Sequence, residues 1–266
     1  MNGNASFNNN DLNTYTPSAG VGFLINKIKH TDGPDAVYSL MQIANANRSD
    51  IPDLDSPSKI VTISGVIKGS SQADLDSRID TFKGFFNGKK KNLDIDYAGS
   101  TRRYIATVPK DRIKIPRVDG TKLWTDFTVE FLCTEPFGLD TAPTSLFSVS
   151  GHTSASYNAT PTVGGNVEGQ LPIFTITINT LTGAGDYVQI SNDANSQAML
   201  IIGQGLANGD VLIIDCEQRI VTLNGVEIDY AGTFLELVPG AASITYSDGF
   251  TTRSVDIDAE YTKRWS

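Results

Sequence analysis

The chain of 266 residues is long enough for one large domain or for two domains of ordinary size. Hydrophobic residues make up 39% of it and charged residues 19%, which predicts a packed core and excludes wholesale disorder. The formal charge of −9 is unevenly distributed, because residues 1–140 hold 17 basic and 17 acidic side chains whereas residues 141–266 hold 4 and 13. This asymmetry indicates two units with different surfaces. The acidic surface of the second unit argues against nucleic-acid binding there, because it repels phosphates.

Targeting segments and disulfides are not expected from the sequence. No run of about 18 apolar residues occurs, so we expect no membrane anchor of the transmembrane-helix type. The first thirteen residues lack the basic and apolar regions of a secretory signal. Cys133 and Cys216 each lie in or beside an alternating apolar run, which favours two reduced, half-buried thiols over a disulfide.

Residues 1–18 are rich in asparagine, with six among the first thirteen positions, and contain few apolar side chains. This composition predicts a flexible arm that orders against a partner. We expect residues 19–140 to form an α+β unit, β-rich with one helix, and residues 141–266 to form a second unit made of strands alone. The predicted fold class is therefore mainly β.

One helix is predicted after an alternating strand at residues 59–67. Ser70 or Ser71 is its expected N-cap, and Gly88 its expected end. Apolar residues between them recur at spacings that place them in one stripe of the helix, namely Leu75, Ile79, Phe82 and Phe86. Phe85 falls to the side of this stripe. It is either the edge of the core or an aromatic contact for another chain, which makes it the candidate subunit-interface residue.

Strands are predicted on both sides of a turn that follows the helix. Residues 93–97 and 103–108 alternate in polarity and are separated by Ala98, Gly99 and Ser100, a pattern typical of a β-hairpin. Residues 123–132 alternate in the same way and predict a further strand.

The second unit shows a purely β pattern from residue 171 onward. Short alternating runs are separated by turn signals every 8–12 residues, which is typical of a β-sandwich or jelly roll. Asn224 and Gly225 form the strongest hairpin signal, since both tolerate the positive φ of a type I′ turn. Residues 139–170 are rich in small polar residues and are predicted to be a crossing segment with at most short strands.

We find no catalytic set, metal-ligand set or cofactor motif in the sequence, and we expect neither enzymatic activity nor a cofactor. The chain has two histidines, His30 and His152, and both lie in polar contexts typical of exposed loops. A histidine-based triad or zinc site therefore has little material.

Two pairs of aspartates alternate on predicted strands: Asp94 with Asp96, and Asp256 with Asp258. The period of two places both members of a pair on one face, near enough for a calcium ion or for acid–base chemistry. The other interpretation is the solvent-facing side of an ordinary amphipathic strand.

Basic side chains concentrate between Lys83 and Arg117, where ten lysines and arginines accompany three aspartates. Aromatic residues are interleaved with them, which is one pattern of a nucleic-acid-binding face. A solvated hairpin and an electrostatic patch for an acidic protein partner are the alternatives.

The order of these features resembles the distal tail proteins of long, non-contractile-tailed bacteriophages of the siphovirus type. Six segments carry the resemblance: SQADLDSRIDTF at 71–82, LDIDYAGSTRRY at 93–104, FTVEFLCTEPF at 127–137, GDVLIIDC at 209–216, IVTLNG at 220–225 and LVPG at 237–240.

The resemblance implies that the first unit forms a hexameric ring at the distal end of the tail and that the second unit is a galectin-like β-sandwich. The implied partners are five further copies of the chain, the major tail (tube) protein, the baseplate hub or tail-associated protein and a receptor-binding protein. DNA would pass through the ring without specific binding.

A carbohydrate-binding module or adhesin is the alternative function. Sandwich lectins stack an aromatic ring on the sugar and surround it with polar side chains. For this chemistry the second unit offers Trp265 with Arg219 and Arg253.

Overall fold

Strands dominate the structure, a computed structural model that describes residues 4–30, 41–42, 49–50, 59–97, 99–116, 122–183 and 187–266. The chain separates into two compact units, residues 1–141 together with Ser266, and residues 142–265. No helix in these described ranges is long and apolar enough to cross a membrane.

In its described residues, the first unit contains one α-helix, one 3-10 turn and eleven strands. Its elements are β1 (Asn4–Phe7), β2 (Asn10–Asp11), β3 (Gly22–His30), β4 (Met41–Gln42), β5 (Ser49–Asp50), β6 (Ile60–Lys68), α1 (Gln72–Gly84), β7 (Lys91–Tyr97), β8 (Ser100–Thr107), the 3-10 turn (Lys110–Arg112), β9 (Ile113–Lys114), β10 (Trp124–Cys133) and β11 (Gly138–Leu139). The main sheet has the order β2-β1-β7-β8-β10-β6-β3, with β9 paired to β10 and β11 paired to β8. Strands β4 and β5 pair with each other.

Helix α1 packs its apolar stripe onto the core of this unit. Ser71 is the N-cap, and its hydroxyl accepts a hydrogen bond of 3.2 Å from the backbone amide of Asp74. The Asp74 carboxylate in turn accepts the Ser70 amide at 2.7 Å, and this hydrogen bond lowers the pKa of Asp74. The predicted stripe is confirmed, because all four of its residues are buried: Leu75, Ile79, Phe82 and Phe86.

The prediction of a flexible arm over residues 1–18 is wrong for the part that the structure describes. Strand β1 pairs antiparallel with β7, and the Phe7 side chain is fully buried in the core beside Leu12. Asn8 and Asn9 adopt positive φ angles of 50° and 63° in the turn to β2, a conformation that asparagine tolerates better than most residues. Asn8 and Asn9 therefore form a tight turn, and the buried side chains of Phe7 and Leu12 fix the segment to the core.

The part of the second unit that the structure describes contains fourteen strands. They are β12 (Thr144–His152), β13 (Ser156–Ala159), β14 (Thr162–Val163), β15 (Pro172–Thr182), β16 (Tyr187–Asn192), β17 (Gln197–Ile202), β18 (Val211–Asp215), β19 (Ile220–Leu223), β20 (Val226–Glu227), β21 (Ala231–Gly232), β22 (Gly240–Ala241), β23 (Ile244–Asp248), β24 (Thr252–Tyr261) and β25 (Arg264–Trp265). Two antiparallel sheets, β12-β24-β15-β18-β19-β20 and β13-β23-β16-β17-β21, share one hydrophobic core, which makes the unit a β-sandwich.

The segment predicted to cross without long strands contains one of the longer strands of the second unit. Strand β12 has nine residues and lies at the edge of its sheet, paired with β24. Its pairing is interrupted by two register shifts, so no clean alternation of polarity marks it in the sequence. Leu146, Phe147 and Val149 pack on the sandwich core. Because the rest of the strand is polar, its backbone pairing with β24 holds it in the sheet.

The hairpin predicted at Asn224 and Gly225 is confirmed, with φ angles of 53° and 79° between β19 and β20. We expect Gly225→Ala to destabilise the second unit by about 1 kcal/mol, because an L-residue is strained in the left-handed region. A β-carbon at this position meets no atom within 4 Å, so the cost comes from the backbone alone.

Gly84→Ala is the matched control, since its β-carbon also meets nothing within 4 Å and it lies in the last position of a right-handed helix. We expect it to stabilise the first unit by up to about 1 kcal/mol. Urea unfolding followed by tryptophan fluorescence resolves the two effects, because Trp124 lies in the first unit and Trp265 in the second. Equal shifts of the same sign in both variants would contradict the backbone explanation.

Candidate interaction surface

The aspartate pairs of the sequence are engaged in local contacts. Arg103 donates two hydrogen bonds of 2.8 Å to the two oxygens of Asp94, a bidentate pair across the β7–β8 hairpin. Thr101 donates to Asp96 at 2.6 Å. Strand alternation does place each pair on one face, and cross-strand partners on that face occupy the carboxylates.

The second pair is similarly committed to its own sheet. Asp256 accepts hydrogen bonds from the Gly151 amide at 2.6 Å and from the Asn179 side chain at 2.9 Å. Asp258 accepts one from the Ser148 hydroxyl. Across the part of the chain that the structure describes, no cluster of three or more His, Cys, Asp or Glu side chains has the spacing to hold a metal ion.

The histidines and thiols lie in structural settings. His30 Nε2 is 2.6 Å from the Tyr97 hydroxyl, and His152 Nε2 is 3.1 Å from the Ser156 carbonyl oxygen. Cys133 and Cys216 are free thiols, as predicted, but they are fully buried and not half-buried. Burial raises the pKa of each thiol to about 12, so neither forms a reactive thiolate near neutral pH.

A buried ion pair occupies the connection between β23 and β24, a feature that the sequence analysis missed. The Arg253 Nε lies 2.7 Å from Asp248 Oδ1, with side-chain exposures of 8% and 0%. The same carboxylate accepts the Phe250 amide at 2.9 Å and the Tyr246 hydroxyl at 2.8 Å, while Arg253 also donates to the Phe250 carbonyl oxygen. Burial, reinforced by the Asp248 charge, raises the pKa of Tyr246. Because Arg253 is held here, its guanidinium is not presented to a sugar.

The basic region between Lys83 and Arg117 divides into two groups in the structure. Its arginines Arg102, Arg103 and Arg112 form ion pairs, in order, with Asp140, Asp94 and Glu130. Arg117 lies outside the described residues. The lysines behave differently, because the structure brings several of them to the rim of one groove.

This groove, which we call the lysine groove, lies between the end of α1 and the connection from β8 to β9, and encloses about 930 Å³. Its lining residues are Lys83, Gly84, Phe86, Asn87, Gly88, Lys89, Thr107, Val108, Pro109, Lys110 and Ile113. Phe86 and Val108 are buried and form an apolar floor with the half-buried Ile113. The charges are evident from the sequence but the floor is not, since residues 86 and 113 come together only in three dimensions.

Two further lysines lie beside a smaller polar pocket of about 280 Å³, formed by Lys90 and Lys91 with Asn8, Asn9 and Asn92. The asparagine turn of the N-terminal segment is thus part of the same basic end of the first unit. No local signal in the sequence connects these segments, because the β1–β7 pairing that joins them is non-local.

Phe85 is half-buried at the edge of the core of the first unit. Its ring makes an edge-to-face contact with Phe23 at a centroid distance of 5.7 Å and lies 6.0 Å from Phe82. Part of the ring remains exposed, and its role as a subunit contact stays a prediction.

Comparisons with known proteins gave matches to one family model and to solved structures. Residues 165–265 match the family model of the siphovirus-type tail component, C-terminal domain. Among solved structures, the Dit protein (gp 19.1) of phage SPP1, described as a paradigm of the hub adsorption apparatus in phages that infect Gram-positive bacteria, aligns with a TM-score of 0.70 and 15% identity over 99% of both chains. A chain of the phage P2 baseplate in its activated conformation with Ca aligns with a TM-score of 0.43 and 9% identity, over 99% of this chain and 98% of that one. No curated protein matched the chain.

The fold of the whole chain, which is mainly β and has two units, is therefore similar to that of the SPP1 Dit protein. Within it, residues 165–265 are similar to the C-terminal domain of siphovirus-type tail components. The resemblance to the distal tail proteins of siphoviruses is confirmed by both findings.

Proposed function

We propose that the chain is a structural protein of a bacteriophage tail tip, where six copies form a ring that connects the tail tube to the baseplate hub and host-adhesion device. The single observation that carries this proposal is the match of residues 165–265 to the siphovirus-type tail component family. The full-length likeness of fold to the SPP1 protein supports it.

The charge distribution favours the first unit as the part that forms the ring. Residues 1–140 have no net charge, so copies of this unit pack together without net repulsion. Residues 141–266 carry the whole charge of −9, and neighbouring copies of that unit repel one another at low ionic strength. An arrangement with neutral units in contact and acidic units apart satisfies both conditions.

In this role the partners are the major tail protein on one side and the hub or tail-associated protein on the other, with a receptor-binding protein as a further component. The ring is located in the virion at the distal end of the tail, and DNA passes through it without specific binding. A head-to-tail interface that closes after six copies is the symmetry this role requires.

The test is the mass and shape of the purified protein, alone and after addition of its tube or hub partner. We expect light scattering to give about six times the chain mass of 28.6 kDa in at least one of these conditions, and negative-stain micrographs to show rings. A particle that stays monomeric in both conditions would overturn the ring, and a different rotational symmetry would overturn the number six.

A further inference from the structure

We infer that the lysine groove of the first unit is a docking site for an acidic, amphipathic segment of another protein. This inference goes beyond the ring, because it concerns a surface and a partner chemistry that neither the family match nor the fold assigns. It rests on three observations: the charge of the rim, the apolar floor and the rigidity of the walls.

The rim of the groove carries positive charge that no carboxylate of the described residues neutralises. Lys83, Lys89 and Lys110 line it, and no Asp or Glu does. Among the ion pairs of the described residues, none involves these three ammonium groups. The nearby arginines, in contrast, are paired with carboxylates of their own unit. A rim of free, exposed cations favours carboxylates on the occupant and steers them toward the groove.

The floor of the groove selects a protein segment over a nucleic acid. Phe86, Val108 and Ile113 line the groove together with the lysines, and Ile113 is the most exposed of these three, since Phe86 and Val108 are 4% and 5% exposed. The phosphate backbone of a nucleic-acid duplex has no group that gains from such an apolar surface, and its non-specific affinity depends on cationic contacts. A peptide that alternates acidic and apolar side chains satisfies both the rim and the floor.

The walls are held in place before any partner arrives. One wall is the last turn of α1, whose stripe is anchored in the core at Phe82. The other begins at Pro109 and continues in the 3-10 turn, where Arg112 forms an ion pair with Glu130 of β10. A pre-organised groove reduces the entropic cost of binding a flexible segment.

The experiment uses the full chain and fluorescence anisotropy with a labelled eight-residue peptide that alternates aspartate with leucine and phenylalanine. Comparison probes are the same peptide with asparagine in place of aspartate, an all-aspartate peptide of equal length, and a 12-base-pair DNA duplex. We expect the acidic amphipathic peptide to bind at least about tenfold more tightly than any comparison probe.

The decisive variant is Lys89→Glu with Lys110→Glu, which reverses two rim charges at exposed positions. We expect it to weaken binding of the acidic amphipathic peptide by at least about tenfold. Its matched control is Lys27→Glu with Lys29→Glu, two exposed lysines of β3 that do not line the groove, and we expect a change of less than about twofold. Lys89→Gln with Lys110→Gln removes the two charges without reversing them. We expect its loss of peptide affinity to lie between those of the groove variant and the control variant.

Three results would overturn the inference. Equal loss in the control variant would show a general effect of net charge. Tighter binding of DNA, lost in the groove variant, would make the groove a phosphate-binding surface. Absence of peptide binding up to about 1 mM would leave the groove without docking function. Circular dichroism melting of every variant shows that each result concerns a folded protein.

Discussion

Phe82→Ala should unfold the first unit at a lower denaturant concentration than any other single truncation in helix α1. The Phe82 ring is 0% exposed and lies within 5 Å of three other rings, with centroid distances of 4.6 Å to Phe127, 4.9 Å to Phe23 and 5.0 Å to Phe86. Truncation removes these contacts and leaves a cavity, so we expect a loss of about 3–5 kcal/mol of unfolding free energy. Urea unfolding in a Trp265→Phe background measures it through Trp124.

Phe85→Ala is the matched variant, three residues further along the same helix end. Because its ring is half-buried and touches mainly Phe23 and Phe82, we expect a cost of about 1–2 kcal/mol. If Phe85 is also a subunit contact, the variant folds and yet fails to form a particle of the parent mass. If Phe85→Ala melts as early as Phe82→Ala, the interface hypothesis is wrong. If it melts and assembles like the parent protein, the Phe85 side chain contributes to neither stability nor assembly.

Arg253→Met should destabilise the second unit by about 3–5 kcal/mol, because it leaves the Asp248 carboxylate buried without its cation. The Asp248 side chain has 0% exposure, and its remaining partners are the Tyr246 hydroxyl and the Phe250 amide. The connection that they hold leads from β23 of one sheet to β24 of the other, so its loss affects both layers of the sandwich. Unfolding of a Trp124→Phe background, followed at Trp265, gives the value.

Two controls separate the buried charge from the loss of an arginine. Arg253→Met combined with Asp248→Asn removes the stranded charge and keeps a hydrogen-bond acceptor, and it should recover at least about half of the loss. Arg219→Met removes an arginine whose side chain is 71% exposed and 3.8 Å from Glu236, and it should change stability by less than about 1 kcal/mol. A double variant as unstable as the single one would place the effect in the aliphatic packing of Arg253.

Local signals in the sequence predicted those elements whose cause is local. The helix, its N-cap and its buried stripe depend on residues within one or two turns of each other, and the structure confirms the N-cap and the stripe. The predicted end at Gly88 is wrong, because the helix ends at Gly84 and Phe86 lies beyond its end. The β7–β8 hairpin and the turn at Asn224 and Gly225 follow from residues that are adjacent in the chain. The uneven distribution of charge between the two units is likewise a property of the sequence.

The elements that were missed depend on partners far away in the sequence. The segment around Phe7 has the composition of a flexible arm, and it is a strand because β7, more than eighty residues later, offers an edge and a core. Strand β12 has few apolar residues, and it is held by the ladder to β24, more than one hundred residues away.

By itself the sequence determined the mainly β class, the single helix, the resemblance to siphovirus distal tail proteins and the basic character of residues 83–117. The tertiary structure alone decided which charges are free. It paired the arginines with distant carboxylates, left Lys83, Lys89 and Lys110 on a groove, and placed Phe86, Val108 and Ile113 beneath them. The physical reason is that an ion pair or an apolar floor needs contact within a few ångströms, and such contacts between distant residues exist only after the chain has folded.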